Sequence, residues 1–319
     1  MDHRGAPETE AAATPVTRRH VLAWILGTAA TVVGAGALGT ELVSRGVLPG
    51  QQVLFELEGA CAVSVPPPVF SSPGPAESGR FYSRARGRSV GYTVAYPPGH
   101  GPGSVLPLVI ALHGYGANHS DVLSGMSLPQ ALALQGAGTA LPPMAMVAAD
   151  GGGGYWHGHS GDDPMAMVVD ELIPMCQERG LGRAPRSIGV IGVSMGGYGA
   201  LLMAEKHPQL FAAVAAISPA VWTTYAEAVG ANAGAYASAS DFAANDAVTH
   251  AVALKHTPVR VASGLSDPFH PGVIALMKAL PPDSVVDLSQ GCHSGPFFRS
   301  QEPPSFVFLA DHLVGTTVR

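Results

Sequence analysis

A serine enclosed by glycines is the first position in this sequence where chemistry is expected. Gly192-Val193-Ser194-Met195-Gly196 follows an apolar run, residues 187–193, and precedes an Ala/Leu-rich segment, residues 196–207. This order predicts a strand, a sharp turn and a helix, an arrangement that holds a serine hydroxyl clear of a sheet. Small residues on both sides let the strand and the helix pack closely around the turn. Ser194 is therefore a predicted nucleophile.

A serine hydroxyl is a weak nucleophile, and two later segments supply the acid and the base that it needs. Asp267 follows a predicted strand at residues 259–262, and His293 follows another at residues 284–288. Open α/β sheets gather their sites at the carboxyl ends of their strands. The chain order serine, acid, histidine is the one that accompanies this type of turn. We therefore predict a catalytic triad of Ser194, Asp267 and His293.

Other acids and histidines in the second half of the chain compete for the same two roles. Most of them lie before or within a predicted element rather than just beyond a strand. They are Asp283, Asp287, His250, His256, His270 and His312. They stay open as alternatives to Asp267 and His293.

Attack on an acyl carbonyl places negative charge on its oxygen, and backbone N–H groups are the expected donors to it. The N–H of Met195, directly after the nucleophile, is the first. The second comes from a loop after an earlier strand, and His113-Gly114-Tyr115-Gly116 follows an apolar run at residues 106–112. We favour the N–H of Tyr115, with Gly114 as the alternative. The His113 side chain is expected to brace this loop rather than to react.

A glycine-rich segment, residues 150–159, follows the predicted strand at residues 144–149 and is a candidate for substrate contacts. Its glycines would let backbone approach a ligand, and Trp156 and His157 are the candidate substrate-binding side chains. The alternative is a flexible surface loop. His157 and His159 form a His-x-His pair without a third fixed ligand, so no metal site is predicted. No cofactor is expected.

Strands and helices alternate from about residue 80 to the end of the chain. Predicted strands lie at residues 89–96, 106–112, 144–149, 187–193, 211–217, 259–262 and 284–288, and predicted helices at 165–179, 196–207, 270–280 and 304–314. This alternation predicts an α/β domain, residues 80–319, with a mostly parallel central sheet and helices on both faces. Residues 220–256, rich in Ala, Ser and Asn, form a predicted insertion that caps the site.

The N-terminal region has the pattern of a targeting segment. Arg18-Arg19 precedes an uncharged apolar stretch at residues 21–39. Paired arginines before such a stretch are typical of a twin-arginine export signal. An uncleaved membrane anchor is the alternative, because this length can just span a bilayer. In either case the body of the chain is expected outside the cytoplasm. We assign residues 1–43 to the signal or anchor and residues 44–79 to a proline-rich linker.

Composition excludes some classes of partner. Hydrophobic residues make up 47% of the 319 residues and charged residues 13%, which is enough apolar material for a large core. The net charge is −6, and the body of the chain has no Lys/Arg cluster, so no nucleic-acid partner is expected. The three cysteines, Cys61, Cys176 and Cys292, fit no metal-binding spacing. One disulfide and one free thiol are possible, and the pairing is open.

A set of short motifs between about Arg80 and Val314 carries a family resemblance. The motifs are Leu112-His113-Gly114, Asp150 with Tyr155-Trp156, residues 192–200, Ser218-Pro219, Asp267-Pro268-Phe269 and His293. Together they resemble the esterase D-type branch of the α/β-hydrolases, which includes S-formylglutathione hydrolases, feruloyl and acetyl esterases, and secreted mycolyltransferases. The resemblance implies the α/β-hydrolase fold and a cofactor-free acyl transfer through Ser194, Asp267 and His293.

Taken with the N-terminal pattern, the resemblance predicts an exported serine esterase that hydrolyses carboxylic esters through an acyl-enzyme on Ser194. Its substrates would be small-molecule, lipid or sugar esters. Two alternatives stay open. One is acyl transfer to a sugar or lipid hydroxyl of the cell envelope, and the other is a secreted binding protein that keeps the fold without catalysis. The cytosolic formylglutathione enzymes lack an export signal of this kind, which argues against that activity.

Overall fold

The computed structural model describes most of the chain after its N-terminal region. The described residues are 55–64, 74–125, 135–136 and 139–313. The predicted signal or anchor at residues 1–43 and much of the predicted linker lie outside them. The elements below belong to one compact unit, Ala60–Arg319. In the described part of the chain, no helix combines the length and the apolar character needed to cross a membrane.

Eight strands of the described chain form one sheet in the order β1-β2-β4-β3-β5-β6-β7-β8. They are β1 (Ala76–Ser83), β2 (Arg88–Ala95), β3 (Leu108–Leu112), β4 (Ala145–Ala149), β5 (Ile188–Val193), β6 (Ala213–Ile217), β7 (Val259–Ser266) and β8 (Val285–Cys292). Strand β2 is antiparallel to β1 and β4, and all other pairs are parallel. The mostly parallel sheet predicted from the sequence is thus present. Strand β1 begins inside the segment that the sequence analysis treated as linker.

Helices connect these strands. They are α1 (His119–Gly125), α2 (Pro164–Ala166, π-helical Met167–Leu172 and Ile173–Glu178), α3 (Met195–Lys206), α4 (Tyr225–Ala231), α5 (Ala239–Ala244), α6 (Ala247–His250), α7 (His270–Ala279) and α8 (Gly295–His312). Helices α4 to α6 are short and lie within the predicted insertion. The sequence prediction for the last helix was wrong at its start, because α8 begins nine residues before Pro304 and runs through Pro303 and Pro304. Proline is common at the first helical position, which made Pro304 look like a start.

Both faces of the sheet are covered by helices, as the side chains of the central strand β3 illustrate. Leu108, Ile110 and Leu112 point into the core on the side of α2 and α3. Val109 and Ala111 point into a second core, which α8 covers. Successive side chains of a strand alternate between faces, so a strand covered on both sides must be apolar throughout. This is why β3 and its neighbours are continuous apolar runs in the sequence.

A buried carboxyl group makes the stability of this fold depend on pH. Glu302 in α8 is 2% exposed, and its Oε1 atom has no hydrogen-bond partner. Burial raises the pKa of Glu302 to about 9 from 4.5. Between these two pH values the folded state keeps a proton that the unfolded state releases, so the free energy of unfolding falls as pH rises. The decrease is at most about 1.4 kcal/mol per pH unit.

Glu302→Gln should therefore remove this pH dependence. We expect the difference in melting temperature, variant minus parent, to be more positive at about pH 8 than at about pH 5. Thermal unfolding at several pH values would measure it. Glu178→Gln, which changes an exposed carboxyl in α2, is the matched control. A difference between Glu302→Gln and the parent that is the same at both pH values would contradict the assignment.

Candidate active site

Ser194 occupies a strained turn between β5 and α3. Its backbone has φ of 56° and ψ of −119°, a combination that is costly for a residue with a side chain. Hydrogen bonds hold the turn in place. The Ser194 N–H donates to the Ile217 carbonyl at 2.9 Å, and the Ser194 carbonyl accepts from the N–H groups of Tyr198 and Ala220. The backbone of β5, β6 and α3 therefore fixes the position of the hydroxyl.

The turn tolerates no side chain at Gly196. A Cβ atom placed there would lie 2.0 Å from the carbonyl oxygen of Leu112 at the end of β3. Gly196→Ala should therefore separate α3 from the sheet and cost about 3 kcal/mol or more of stability. Gly114→Ala is the control, because its Cβ would lie 3.5 Å from the nearest atom, the carbonyl oxygen of Val193. Thermal unfolding of both variants would test this, and equal melting temperatures would contradict it.

The three residues of the predicted triad lie within hydrogen-bond distance of one another. Ser194 Oγ is 2.9 Å from His293 Nε2, and His293 Nδ1 is 2.9 Å from Asp267 Oδ2. The side chain of Asp267 is fully buried, and that of His293 is 21% exposed. An ionised carboxylate only accepts hydrogen bonds, so Nδ1 carries the proton and Nε2 is free to accept the proton of Ser194.

The acid and the base come from neighbouring strands of one sheet edge. Asp267 directly follows β7, which ends at Ser266, and His293 directly follows β8, which ends at Cys292. Cys292 and Ser266 are register partners, so the two strands end side by side. The second carboxylate oxygen of Asp267 accepts the N–H of Phe269 at 2.9 Å, which fixes the orientation of the carboxylate.

Two aromatic rings and a disulfide surround His293. The rings of Phe269 and Phe298 each pack edge-on against the imidazole with centroids 5.0 Å away. Cys61 and Cys292 form a disulfide, which gives the pairing that the sequence left open. Cys176 is the buried free thiol, and burial raises its pKa to about 12. A thiol with a raised pKa stays protonated and unreactive at neutral pH.

The loop predicted to contain the second oxyanion donor lies against Ser194. A Cβ atom on Gly114 would be 3.7 Å from the Cβ of Ser194. His113 braces this loop, since its Nδ1 donates to the Gly114 carbonyl and its Nε2 accepts from the Gly151 N–H, both at 2.8 Å. Burial lowers the pKa of His113, which keeps the ring neutral and able to accept that bond. Tyr115 follows in the same loop, and Met195 is the first residue of α3, where backbone N–H groups have no partner within the helix.

A cleft of about 470 Å³ opens at Ser194. Its walls are His113, Gly114, Tyr115, Ala117, Asp121, Val122, Val193, Ser194, His293 and Phe298. Asp121, Val122 and Phe298 were not predicted as site residues from the sequence. Phe298 follows His293 by five residues, but only the direction in which α8 leaves the sheet shows that Phe298, rather than its buried neighbour Phe297, faces the cleft.

Trp156 and His157, the two candidate substrate-binding side chains, are not among the residues that line this cleft. Trp156 is fully buried, and its Nε1 donates to the His113 carbonyl at 3.2 Å. A Cβ atom on Gly199 of α3 would lie 2.6 Å from the Trp156 side chain, so the indole fills space that only glycine leaves open. His157 is also buried, bonded to the Ala235 carbonyl through Nε2 at 2.8 Å. The backbone of Trp156 has a positive φ of 58°, which residues with side chains rarely adopt.

Both histidines of the His-x-His pair form hydrogen bonds with backbone carbonyl oxygens. His159 Nε2 is 2.8 Å from the carbonyl oxygen of Gly154, and His157 is held as described above. Among the residues that the structure describes, no group of three or more His, Cys, Asp or Glu side chains is placed to hold a metal ion. The arrangement at Ser194 instead joins a hydroxyl, an imidazole and a carboxylate by hydrogen bonds.

Comparison with known families gives the general class of activity of the chain. Residues 83–279 match the family whose description is "Putative esterase", which is more than half of the chain. The chain belongs to this esterase family. Ester hydrolysis is therefore the general activity that its family supports. The matched region contains Ser194 and Asp267 and ends before His293.

Solved structures of esterases and related proteins share the fold. A ferulic acid esterase superimposes with a TM-score of 0.65 at 18% identity, covering 74% of this chain and 98% of its own. An S-formylglutathione hydrolase from Agrobacterium tumefaciens gives 0.61 at 18% identity, with 76% and 96% covered. MPT51 from Mycobacterium tuberculosis gives 0.58 at 18% identity, with 76% and 100% covered. The predicted α/β-hydrolase fold and esterase branch are confirmed. No protein with a curated description matches the chain significantly in sequence.

Proposed function

We propose that this esterase is an exported enzyme that hydrolyses carboxylic esters through an acyl-enzyme on Ser194. The observation that carries the proposal is the unbroken pair of 2.9 Å contacts from Ser194 to His293 and from His293 to Asp267. The strained backbone of Ser194 and the nearness of the Gly114 loop, where an added Cβ would lie 3.7 Å from the Cβ of Ser194, support it. Nothing in this mechanism requires a cofactor.

In the proposed reaction, each of these groups takes part in a separate step. His293 Nε2 takes the proton of Ser194 as Oγ attacks the ester carbonyl, and Asp267 stabilises the imidazolium that forms. The N–H groups of Met195 and Tyr115 bind the oxyanion, each contributing about 3 kcal/mol. The alcohol leaves with the proton from His293. Water then attacks the acyl-enzyme with His293 again as base, and the carboxylic acid is released with Ser194 restored.

The walls of the cleft favour neutral esters with an apolar group. Tyr115, Val122 and Phe298 present apolar surface to the space beside Ser194. Asp121 is the one carboxylate among the lining residues that the structure describes, and it disfavours an anionic substrate by like-charge repulsion. A cleft of about 470 Å³ suits a small-molecule ester or one end of a lipid or sugar ester.

Two observations support export. The Arg18-Arg19 pair before an apolar stretch is typical of a twin-arginine signal. The Cys61–Cys292 disulfide is typical of proteins in oxidising compartments. Fractionation of cells that express the full chain would test this, and activity found only in the cytoplasm would contradict it.

A fluorophosphonate probe tests the catalytic proposal directly. Such probes phosphonylate a serine that a neighbouring base has activated. We expect stoichiometric labelling of the folded protein, with the adduct on the peptide that contains Ser194 and a parallel loss of esterase activity. Absence of labelling would favour a binding protein with the same fold. Product analysis with and without an added sugar acceptor such as trehalose would separate hydrolysis from acyl transfer.

A further inference from the structure

The Cys61–Cys292 disulfide connects the residue before His293 to a segment that precedes β1 in the chain. Cys292 is the last residue of β8, and His293 is the next residue. The two cysteines are 231 residues apart in sequence. Cys292 is 1% exposed, whereas Cys61 is partly exposed. The segment that contains Cys61, residues 55–64, is thus covalently attached to the residue that precedes His293.

The end of β8 pairs irregularly with the sheet. Strand β8 is the last strand in the described sheet, so it pairs on one side only, with β7. The register of that pairing shifts between Ser289 and Cys292, and Gly291 has φ of 152°, which residues with side chains rarely adopt. An irregularity of this kind interrupts the ladder of backbone hydrogen bonds. The pairing resumes at Cys292 and Ser266, so a single register pair beyond the irregularity precedes His293.

Apart from Ser194, the groups that contact the imidazole come from the loop after β7 and from α8. Asp267 and Phe269 follow β7, and Phe298 lies in the first turn of α8. They orient the ring from the loop that follows β7 and from the start of α8. The disulfide connects the end of β8 to a segment that comes before β1, and so adds a covalent restraint to the residue next to His293.

We propose that Cys61 is a positioning residue for catalysis, because its disulfide with Cys292 holds the end of β8 where His293 Nε2 reaches Ser194 Oγ. The reduced protein keeps its fold but turns over ester slowly. This inference rests on the proposed roles of Ser194 and His293. It implies that the chain gains full activity only after it enters an oxidising compartment.

Cys61→Ser and the double variant Cys61→Ser/Cys292→Ser test the inference. At a temperature well below the melting temperature, we expect kcat for p-nitrophenyl butyrate to fall about 10- to 100-fold with KM nearly unchanged. The rate of fluorophosphonate labelling should fall in parallel. Cys176→Ala is the control, since it removes a buried thiol of α2 that takes no part in the disulfide, and it should lower the melting temperature without changing kcat. Variants with a lower melting temperature but parental kcat would overturn the inference.

Reduction of the parent protein is the second measurement, and it avoids misfolding during expression. A water-soluble phosphine breaks the S–S bond to give two thiols and is itself oxidised to the phosphine oxide with oxygen from water. We expect kcat to fall in proportion to the two thiols that alkylation then detects, with unchanged circular dichroism, and to recover after reoxidation by glutathione disulfide. Unfolding on reduction, or full activity of the reduced protein, would overturn the inference.

Ser194→Ala keeps the two proposals distinguishable. If the oxidised Ser194→Ala protein is still active, the proposed function fails. If it is inactive but the reduced parent protein has parental kcat, only the positioning role of Cys61 fails.

Discussion

Ser194→Ala should lower kcat/KM for a short p-nitrophenyl ester by about 10⁵-fold or more. The hydroxyl is the atom that forms the acyl-enzyme, and no other side chain in the described lining of the cleft replaces it at 2.9 Å from His293. The backbone donors and the cleft remain, so a small residual rate and binding of substrate should persist. Steady-state kinetics of the purified variant would measure this.

Ser218→Ala is the matched control for Ser194→Ala. Both serines have positive φ, 56° at Ser194 and 45° at Ser218. Ser218 is fully buried, and its hydroxyl has no hydrogen-bond partner, so removing that hydroxyl breaks no contact. We expect nearly parental kcat/KM from Ser218→Ala. A Ser194→Ala protein that hydrolyses the ester at a rate comparable to that of this control would exclude the acyl-enzyme mechanism.

Asp267→Asn has the second largest expected effect, a loss of about 10⁴-fold in kcat with little change in KM. The carboxylate accepts the proton on His293 Nδ1 at 2.9 Å. An amide nitrogen in its place donates to Nδ1 instead, which moves the imidazole proton to Nε2. The ring then has no free electron pair with which to accept the proton of Ser194. Kinetics and fluorophosphonate labelling of the variant should both show the loss.

Asp287→Asn is the control for this prediction and also tests the competing acid. Asp287 lies in β8, where its Oδ2 is 3.3 Å from Arg260, and it is partly exposed. Within the described part of the chain, Asp287 forms no hydrogen bond or ion pair with His293, in contrast to Asp267. We expect kcat within about threefold of the parent, as is usual for a partly exposed ion pair. Equal losses in the two variants would mean that Asp267 does not orient the base.

The sequence was sufficient for the elements that position Ser194. Its turn is indicated by a buried strand, by glycines at two fixed positions and by a helix, which are all local features of the sequence. The strands themselves were visible because a strand covered on both faces must be apolar throughout, as β3 and β5 are. Asp267 and His293 could be proposed because each follows such a strand, and parallel strands end at a common edge.

Element ends and exposed strands were less visible in the sequence. Helix α8 continues through Pro303 and Pro304, although proline lacks the N–H that an interior helical position uses. Strand β1 is largely exposed, so it lacks the apolar pattern that marks a buried strand. Tertiary packing stabilises both elements against their local signals, and a single sequence does not record that packing.

Side-chain destinations were decided by the tertiary structure alone. Trp156 was expected to contact substrate, but the turn before it directs the indole under His113 and against α3. Phe298 and Asp121 reach the cleft because of the directions in which two helices leave the sheet. The partner of Cys292 lies 231 residues away, and pairing of cysteines depends on their distance in space rather than in sequence. Local patterns determine which elements form, whereas long-range packing determines which side chains meet.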